Sequence, residues 1–161
     1  MNYHNITKDD MKNGDGLRVV LWVSGCGHRC KGCHNPQTWD ISSGIEFDES
    51  AKQEIFEELD KDYISGITFS GGDPLMPCNR ECVGGLIEEI SKKYPNKTIW
   101  LYTGYLYEEV KDLSYVKNID VLVDGEFELE YKDNNAHWVG STNQRVIDVK
   151  KTIANNSICL H

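Results

Sequence analysis

Strand-like and helix-like segments alternate along this chain, which predicts an α/β protein built on a mostly parallel, open sheet. Three observations carry that expectation: short β-branched apolar runs, amphipathic stretches of helical period between them, and chemistry-bearing residues placed just after the runs. At 161 residues the chain suits one domain, 1–161, large enough to bury a core without staples. About four βα units are too few for a closed eight-stranded barrel, which takes about 250 residues. The sheet is therefore expected to be either partly barrel-like or doubly wound. In both arrangements ligands sit at the carboxyl ends of the strands.

The elements follow in order. The run Arg18 to Val23 (RVVLWV) reads as a buried strand, and a cysteine-bearing loop follows it. In FDESAKQEIFEELD, Ala51, Ile55 and Leu59 recur every four residues behind Asp48, a good N-cap, so this is an amphipathic helix. GITFSGGDPL is a strand that stops at a glycine pair. NRECVGGLIEEISKKYP sets Cys82, Val83, Leu86, Ile87 and Ile90 on one helical face and ends at Pro95. KTIWLYTGY is a third strand, LYEEVKDL a short helix and IDVLVDGEF a fourth strand, and QRVIDVKK adds one more short strand. The cysteines, Gly71 to Asp73, Thr103 to Tyr105 and Asp124 thus fall after successive strands and should converge at one end of the sheet.

Composition narrows the function. A net charge of -9 argues against broad affinity for nucleic acid or an anionic membrane, which requires clustered Lys and Arg. No apolar run approaches the roughly 20 residues that span a bilayer, and the first residues hold no signal-peptide core. A reducing cytoplasm is the expected location, and there six cysteines read as metal or catalytic ligands before disulfides.

Three of those cysteines lie in SGCGHRCKGCHNPQ as C-x3-C-x2-C, namely Cys26, Cys30 and Cys33. Reduced structural thiols are one reading, but such cysteines are usually buried singly, and these sit in a polar loop with Arg29 and Lys31. A Cys3His zinc site, with His28 or His34 as fourth ligand, has suitable donors, yet closed zinc sites usually join two separated ligand pairs. The third reading is a [4Fe-4S] cubane with three irons held by thiolates. Electron-transfer clusters use four cysteines; three leave one iron open, and an open position marks a chemically active metal.

These cysteines after a first strand, with GGDP after a second, resemble the radical S-adenosylmethionine superfamily. The resemblance implies Cys26, Cys30 and Cys33 as cluster ligands and S-adenosylmethionine on the free iron. It implies Gly71, Gly72 and Asp73 at the cofactor's amino group, and backbone around Gly32, Cys33 and His34 against its adenine. A compact, incomplete (βα) barrel is the implied fold. Gly32 stands where the superfamily often has an aromatic residue, which fits one branch better: the glycyl-radical-enzyme activases that serve anaerobic ribonucleoside-triphosphate reductase. MNYHNI, NGDGLRVVLWVSGCGHRCKGCHNPQTWD, SGGDPL, YTGY, VLVDGEF and GSTNQRVIDV resemble that branch in order over nearly the whole chain. Asp15 replaces a common proline and Val139 a common basic residue. The implied activity is reductive cleavage of S-adenosylmethionine to a 5′-deoxyadenosyl radical that abstracts hydrogen from a backbone glycine of the reductase large subunit. The implied partners are that subunit, a one-electron donor such as flavodoxin, and a second copy in a homodimer. A radical enzyme acting on a small molecule and a zinc-binding interaction module are the alternatives.

Some residues stay unassigned. Alone, the glycine pair reads as a simple turn, and it fails as a phosphate loop for want of a following Lys-Ser/Thr. His28 and His34 either tune the site from behind the ligands or are exposed loop histidines. Cys78 and Cys82, four apart, read as core packing on a helix face, and Cys159 as incidental. Thr103, Tyr105 and Asp124 either line the cofactor site or serve the structure, and Gly140, Asn143 and Arg145 either contact a ligand or form an elaborate turn.

Overall fold

The computed structural model describes residues 1–161. Its seven strands are β1 (Asn2–Asp10), β2 (Leu17–Val23), β3 (Ile45–Glu46), β4 (Ile64–Gly71), β5 (Thr98–Tyr102), β6 (Val121–Asp124) and β7 (Arg145–Asp148). The helices are α1 (Glu49–Leu59), α2 (Arg80–Lys93), α3 (Tyr107–Val110) and α4 (Val149–Asn155). The strands form one sheet in the order β3-β1-β2-β4-β5-β6-β7. β2, β4, β5 and β6 pair in parallel, while β1 and β7 flank them antiparallel. The sheet is thus mixed, with a parallel centre.

Alternate residues of the parallel strands face opposite sides. Val19, Leu21 and Val23 share one face with Ile67, Phe69, Ile99, Leu101 and Leu122. All four helices deliver apolar side chains to that same cluster, among them Ile55 and Leu59 of α1, Ile87 and Ile90 of α2, Val110 of α3 and Val149 of α4. Helices on one face exclude a doubly wound sheet, which carries them on both. The strand order agrees, since β2, β4, β5 and β6 step across the sheet in one direction without reversal.

The other face carries Arg18, Val20, Trp22, Thr68, Trp100 and Tyr102. A smaller cluster of Trp100, Val121 and Val123 forms there, covered by Trp138, Val139 and Val146. Arg18 is fully buried beneath this cluster. It donates to Thr68 Oγ1, Asp15 O, Thr98 Oγ1, Ile67 O and Thr98 O at 2.7–2.9 Å. Its guanidinium also lies 5.4 Å from the Trp100 ring centroid. Burial pulls its pKa down to about 10, so it stays cationic at neutral pH. The side chain thereby laces the starts of β2, β4 and β5 together.

Most expected elements form where the pattern placed them. Asp48 caps α1, accepting from Ala51 N at 2.9 Å, and α2 stops two residues before Pro95. Two features depart from the pattern. β1 was not expected, because its buried residues Tyr3 and Ile6 break strict alternation; a register shift between Tyr3 and Asn5 brings both inward. In QRVIDVKK the strand ends at Asp148, whose side chain accepts from Lys151 N at 2.9 Å and starts α4.

Arg18→Lys keeps a charge but cannot reproduce a planar five-donor fork. It is expected to lower stability by about 2–4 kcal/mol through unsatisfied buried acceptors. Urea unfolding would measure this, and a change below about 0.5 kcal/mol, as at an ordinary surface position, would refute the lacing role.

Candidate functional site

Beyond Val23 the chain leaves the sheet as a loop that closes on itself. Gly25 N donates to Thr38 O at 2.7 Å and Cys26 N to Trp39 O at 3.1 Å, so residues 25–39 form a lobe over the carboxyl ends of the parallel strands. Inside the lobe Cys33 N donates to Cys30 O at 3.1 Å. Cys26, Cys30 and Cys33 are each half-buried. All three line one cavity of about 430 Å³, together with His28, His34, Trp39, Ser70 to Asp73, Tyr102, Thr103 and Phe127. The convergence expected from the strand ends is realised at this cavity for the cysteines, Gly71 to Asp73, Thr103 and Gly104, whereas Tyr105 and Asp124 do not line it.

Burial pushes the Cys26 and Cys30 thiols up, and backbone amides, those of His28 and Arg29 at Cys26 and of Phe127 at Cys30, work against it. Cys33 Sγ accepts from Asn35 N at 3.3 Å. Thiolates here would need a cation to replace lost hydration, a role that the iron of a cluster would fill. No three His, Cys, Asp or Glu side chains converge on a point suited to a single ion. The indole Nε1–H of Trp39, in the same wall, is buried without an acceptor. Such a donor costs about 1–3 kcal/mol unless something accepts from it, and an acceptor such as a sulfide or a cofactor oxygen would answer it. The remaining cysteines stand outside the wall. Cys82 is half-buried against the helix-side core, whereas Cys78 is exposed and precedes the first turn of α2, so the expected pairing of both on one helix face does not form.

The glycine pair at the end of β4 works by close approach. Gly71 has φ +106, and a Cβ on it would sit 2.7 Å from the Val23 backbone. A Cβ on Gly72 would lie 2.6 Å from Gly25 O. Without side chains, Gly72 N reaches Val23 O at 2.7 Å and Asp73 N reaches Gly25 O at 2.9 Å. The exit of β4 is thereby zipped onto the first residues of the cysteine lobe. Gly71, Gly72 and Asp73 share the cavity wall with Cys33 and His34. Gly32 does not line it; it is exposed in a turn against Leu129.

Asp73 is buried, and its carboxylate faces internal donors. It accepts from Leu75 N at 2.7 Å, from Thr103 Oγ1 at 2.9 and 3.0 Å, and from Gly104 N at 2.9 Å. His28 Nε2 lies 2.8 Å from Asp73 Oδ2, and His28 Nδ1 lies 2.8 Å from Glu126 Oε1. The bond to Asp73, supported by Glu126, pushes His28 up to about 9 against the effect of burial. Sequence reasoning did not single out Glu126, Trp39 or Phe127, and it placed Gly104 only as part of the stretch Thr103 to Tyr105. Only Trp39, within the cysteine loop itself, carried a signal that could have found it.

The residues left unassigned resolve into supports. Thr103 holds Asp73, and Tyr105 lies edge-on to the His28 ring with centroids 4.8 Å apart. Asp124, fully buried, accepts from Tyr107 N at 2.7 Å and pairs with Arg145, which also grips Glu108 at 2.8 Å. Asn143 donates to Glu126 O at 2.9 Å and Gln144 to Gly125 O at 2.8 Å. GSTNQR is thus an elaborate turn that braces the exit of β6, and its Gly140 and Gln144 also line the cavity.

Three thiols without a fourth, at the strand ends of a singly wound α/β sheet, define a protein that carries one iron–sulfur cluster. Comparison with known families agrees, since residues 12–147 match the family described as a 4Fe-4S single cluster domain. The anaerobic ribonucleoside-triphosphate reductase-activating protein of Enterobacteria phage T4 is 44% identical over 91% of this chain and 93% of its own length. The proteins of the same name from Vibrio cholerae and Escherichia coli K12 are 43% and 42% identical, over 89% and 91% of this chain and 96% and 97% of theirs. The chain belongs to this family of activating proteins.

Gly72→Ala would press a methyl group onto the Gly25 carbonyl and part the β4 exit from the cysteine lobe. An expected cost of about 1–3 kcal/mol should accompany reduced iron uptake on anaerobic reconstitution. Gly85→Ala is the control: nothing lies within 4 Å of its Cβ on the exposed side of α2, and a gain of about 0.5–1 kcal/mol is expected. Equal iron loading in both variants would show that the close approach is dispensable.

Proposed function

We propose that this protein activates an anaerobic ribonucleoside-triphosphate reductase by installing a radical on a backbone glycine of its large subunit. One observation carries the reading: three half-buried thiols, with no fourth beside them, share a cavity with a glycine pair at the ends of parallel strands. In this reading Cys26, Cys30 and Cys33 would ligate a [4Fe-4S] cluster, leaving one iron without a cysteine for S-adenosylmethionine. The one-way strand order and the one-sided helices support an arc of a (βα) barrel spanning 1–161 as one domain. The uncovered edge of such an arc is where a peptide loop of the partner enters.

With one electron supplied, a cluster and cofactor held there would provide a 5′-deoxyadenosyl radical, with methionine as the other product, able to take the α-hydrogen of the substrate glycine. This chain's own residues prepare that chemistry. The lobe closed at Gly25–Thr38 holds the three sulfurs on one wall. The backbone of Gly71 and Gly72, together with that of Cys33 and His34, offers polar groups to the cofactor without side chains in the way. Trp39, Tyr102 and Phe127 give the cavity aromatic walls that keep water from a reactive primary radical. No general base is required, since a hydrogen atom is transferred and not a proton. The electron comes from a small one-electron donor such as flavodoxin, and two copies of this chain work together on the reductase. The cytoplasm is the place of work in this reading, and no helix here is long and apolar enough to cross a membrane.

Low-temperature EPR on anaerobically reconstituted, reduced protein tests the reading. A cubane signal that changes shape with S-adenosylmethionine, followed by a glycyl-radical signal when the reductase is added, is the expected result. Alanine at Cys26, Cys30 or Cys33 should abolish the cofactor response, while Cys159→Ala should leave it intact. A cluster signal indifferent to the cofactor would reduce the protein to electron transfer. Turnover of the cofactor without any radical on the reductase would move the substrate to a small molecule.

A further inference from the structure

His28 lies in the cysteine loop two residues after Cys26 and two before Cys30, yet the chemistry above uses it for nothing. Its surroundings are unusually specific. Its two ring nitrogens meet Asp73 Oδ2 and Glu126 Oε1, each at 2.8 Å. The Tyr105 ring stands edge-on to it at 75°. A Cβ on Gly104 would lie 2.6 Å from the His28 Cδ2 atom, so only glycine leaves space for the imidazole. Asp73 is itself fixed by Leu75 N, Thr103 Oγ1 and Gly104 N. The side-chain hydrogen bonds of His28 join the loop to the exits of both β4 and β6.

We propose that His28 is a positioning residue. Its ring, clamped between Asp73 and Glu126 and seated in a socket made by Thr103, Gly104 and Tyr105, sets the height and tilt of the cysteine lobe over the strand ends. With both nitrogens engaged, the ring has no free position from which to exchange a proton with a substrate. Its part is geometric: it relates the sulfurs of Cys26 and Cys30 to the glycine pair across the cavity. The T-G-Y stretch after β5 and Glu126 after β6 then have one common purpose, to receive this side chain. Partners behind metal ligands commonly change affinity or activity 10- to 100-fold when lost (about that range).

The inference rests on the cluster-and-cofactor reading, and its test separates the two. His28→Ala, Gly104→Ala, Glu126→Gln, His28→Gln and the double variant His28→Gln with Glu126→Gln would be reconstituted anaerobically beside the wild type. Iron content, thermal unfolding, the EPR line shape and midpoint potential of the cluster, and the affinity for S-adenosylmethionine would be measured. Gly104→Ala keeps the histidine but evicts its ring, and Glu126 is exposed enough for the fold to survive its replacement. The expected result is iron content near wild type in the soluble variants, with an altered line shape and potential. Cofactor affinity should fall roughly 10-fold or more in His28→Ala and Gly104→Ala. The double variant should recover part of what His28→Gln loses, because two amides can restore a donor–acceptor chain from Asp73 to position 126.

Wild-type line shape, potential and affinity in His28→Ala and Gly104→Ala would overturn the inference and leave the proposed function standing. Changes that only track lost thermal stability, without recovery in the double variant, would also overturn it, in favour of a purely structural histidine. A wild-type cluster indifferent to the cofactor would overturn the proposed function. The cluster's own line shape and potential would then still decide the role of His28. A wild type that takes up no cluster would overturn both.

Discussion

The buried carboxylate of Asp73 is the interaction on which the rest of the site depends. An ionised carboxyl out of water is costly unless donors replace its hydration, and the donors here come from three separate stretches. Leu75 N belongs to the turn after β4, Thr103 Oγ1 and Gly104 N to the exit of β5, and His28 to the lobe beyond β2. Hydrogen bonds to a charged group contribute about 1.5–3 kcal/mol each, so the carboxylate holds these exits in one relative position. Asn79 adds a second tie, its side-chain amide donating to Ser24 O at 2.8 Å and to Asp73 O at 3.0 Å. The cavity takes its shape from these ties, and the cysteines are placed by it.

This arrangement divides the two faces of the sheet. The helix side is apolar and continuous, a cluster of 27 buried residues, and it supplies the hydrophobic stabilisation of the domain. The opposite face is aromatic and polar and rests on Arg18, a cation held by neutral oxygens alone within hydrogen-bonding distance. The strand ends can therefore carry glycines, half-buried thiols and an unpartnered indole N–H without the fold depending on them. Features that weaken a core are tolerated where a core on the other side is complete. A singly wound sheet brings this about naturally, because helices cover only one of its faces.

Much of the fold was legible in the sequence. β2, β4, β5 and β6 are apolar β-branched runs, and α1 and α2 have clear helical period with a cap at Asp48 and a stop before Pro95. The three sulfurs and the glycine pair were legible too, because their chemistry is encoded in spacing over a few residues. β1 was hidden, since a register shift breaks the alternation that marks a strand, and α4 was hidden because Asp148 ends a strand and starts a helix at once. Cys78 and Cys82, four apart in sequence, separate because α2 begins between them.

The sequence by itself determined the kind of chemistry, an iron–sulfur centre, because ligand type and short-range spacing are local properties. It also determined that the strand ends bearing the cysteines, Gly71 to Asp73, Thr103 to Tyr105 and Asp124 would meet at one end of the sheet, because each follows a strand in a parallel arrangement. Only the tertiary structure decided what each contributes there. Asp73 turned inward to backbone and hydroxyl donors. TGY became a socket for an imidazole 75 residues or more earlier in the chain, and Glu126 became that ring's second partner. The physical reason is that hydrogen bonding and close approach depend on distances across the sheet, and those distances are set by packing between segments whose separation along the chain carries no record of them.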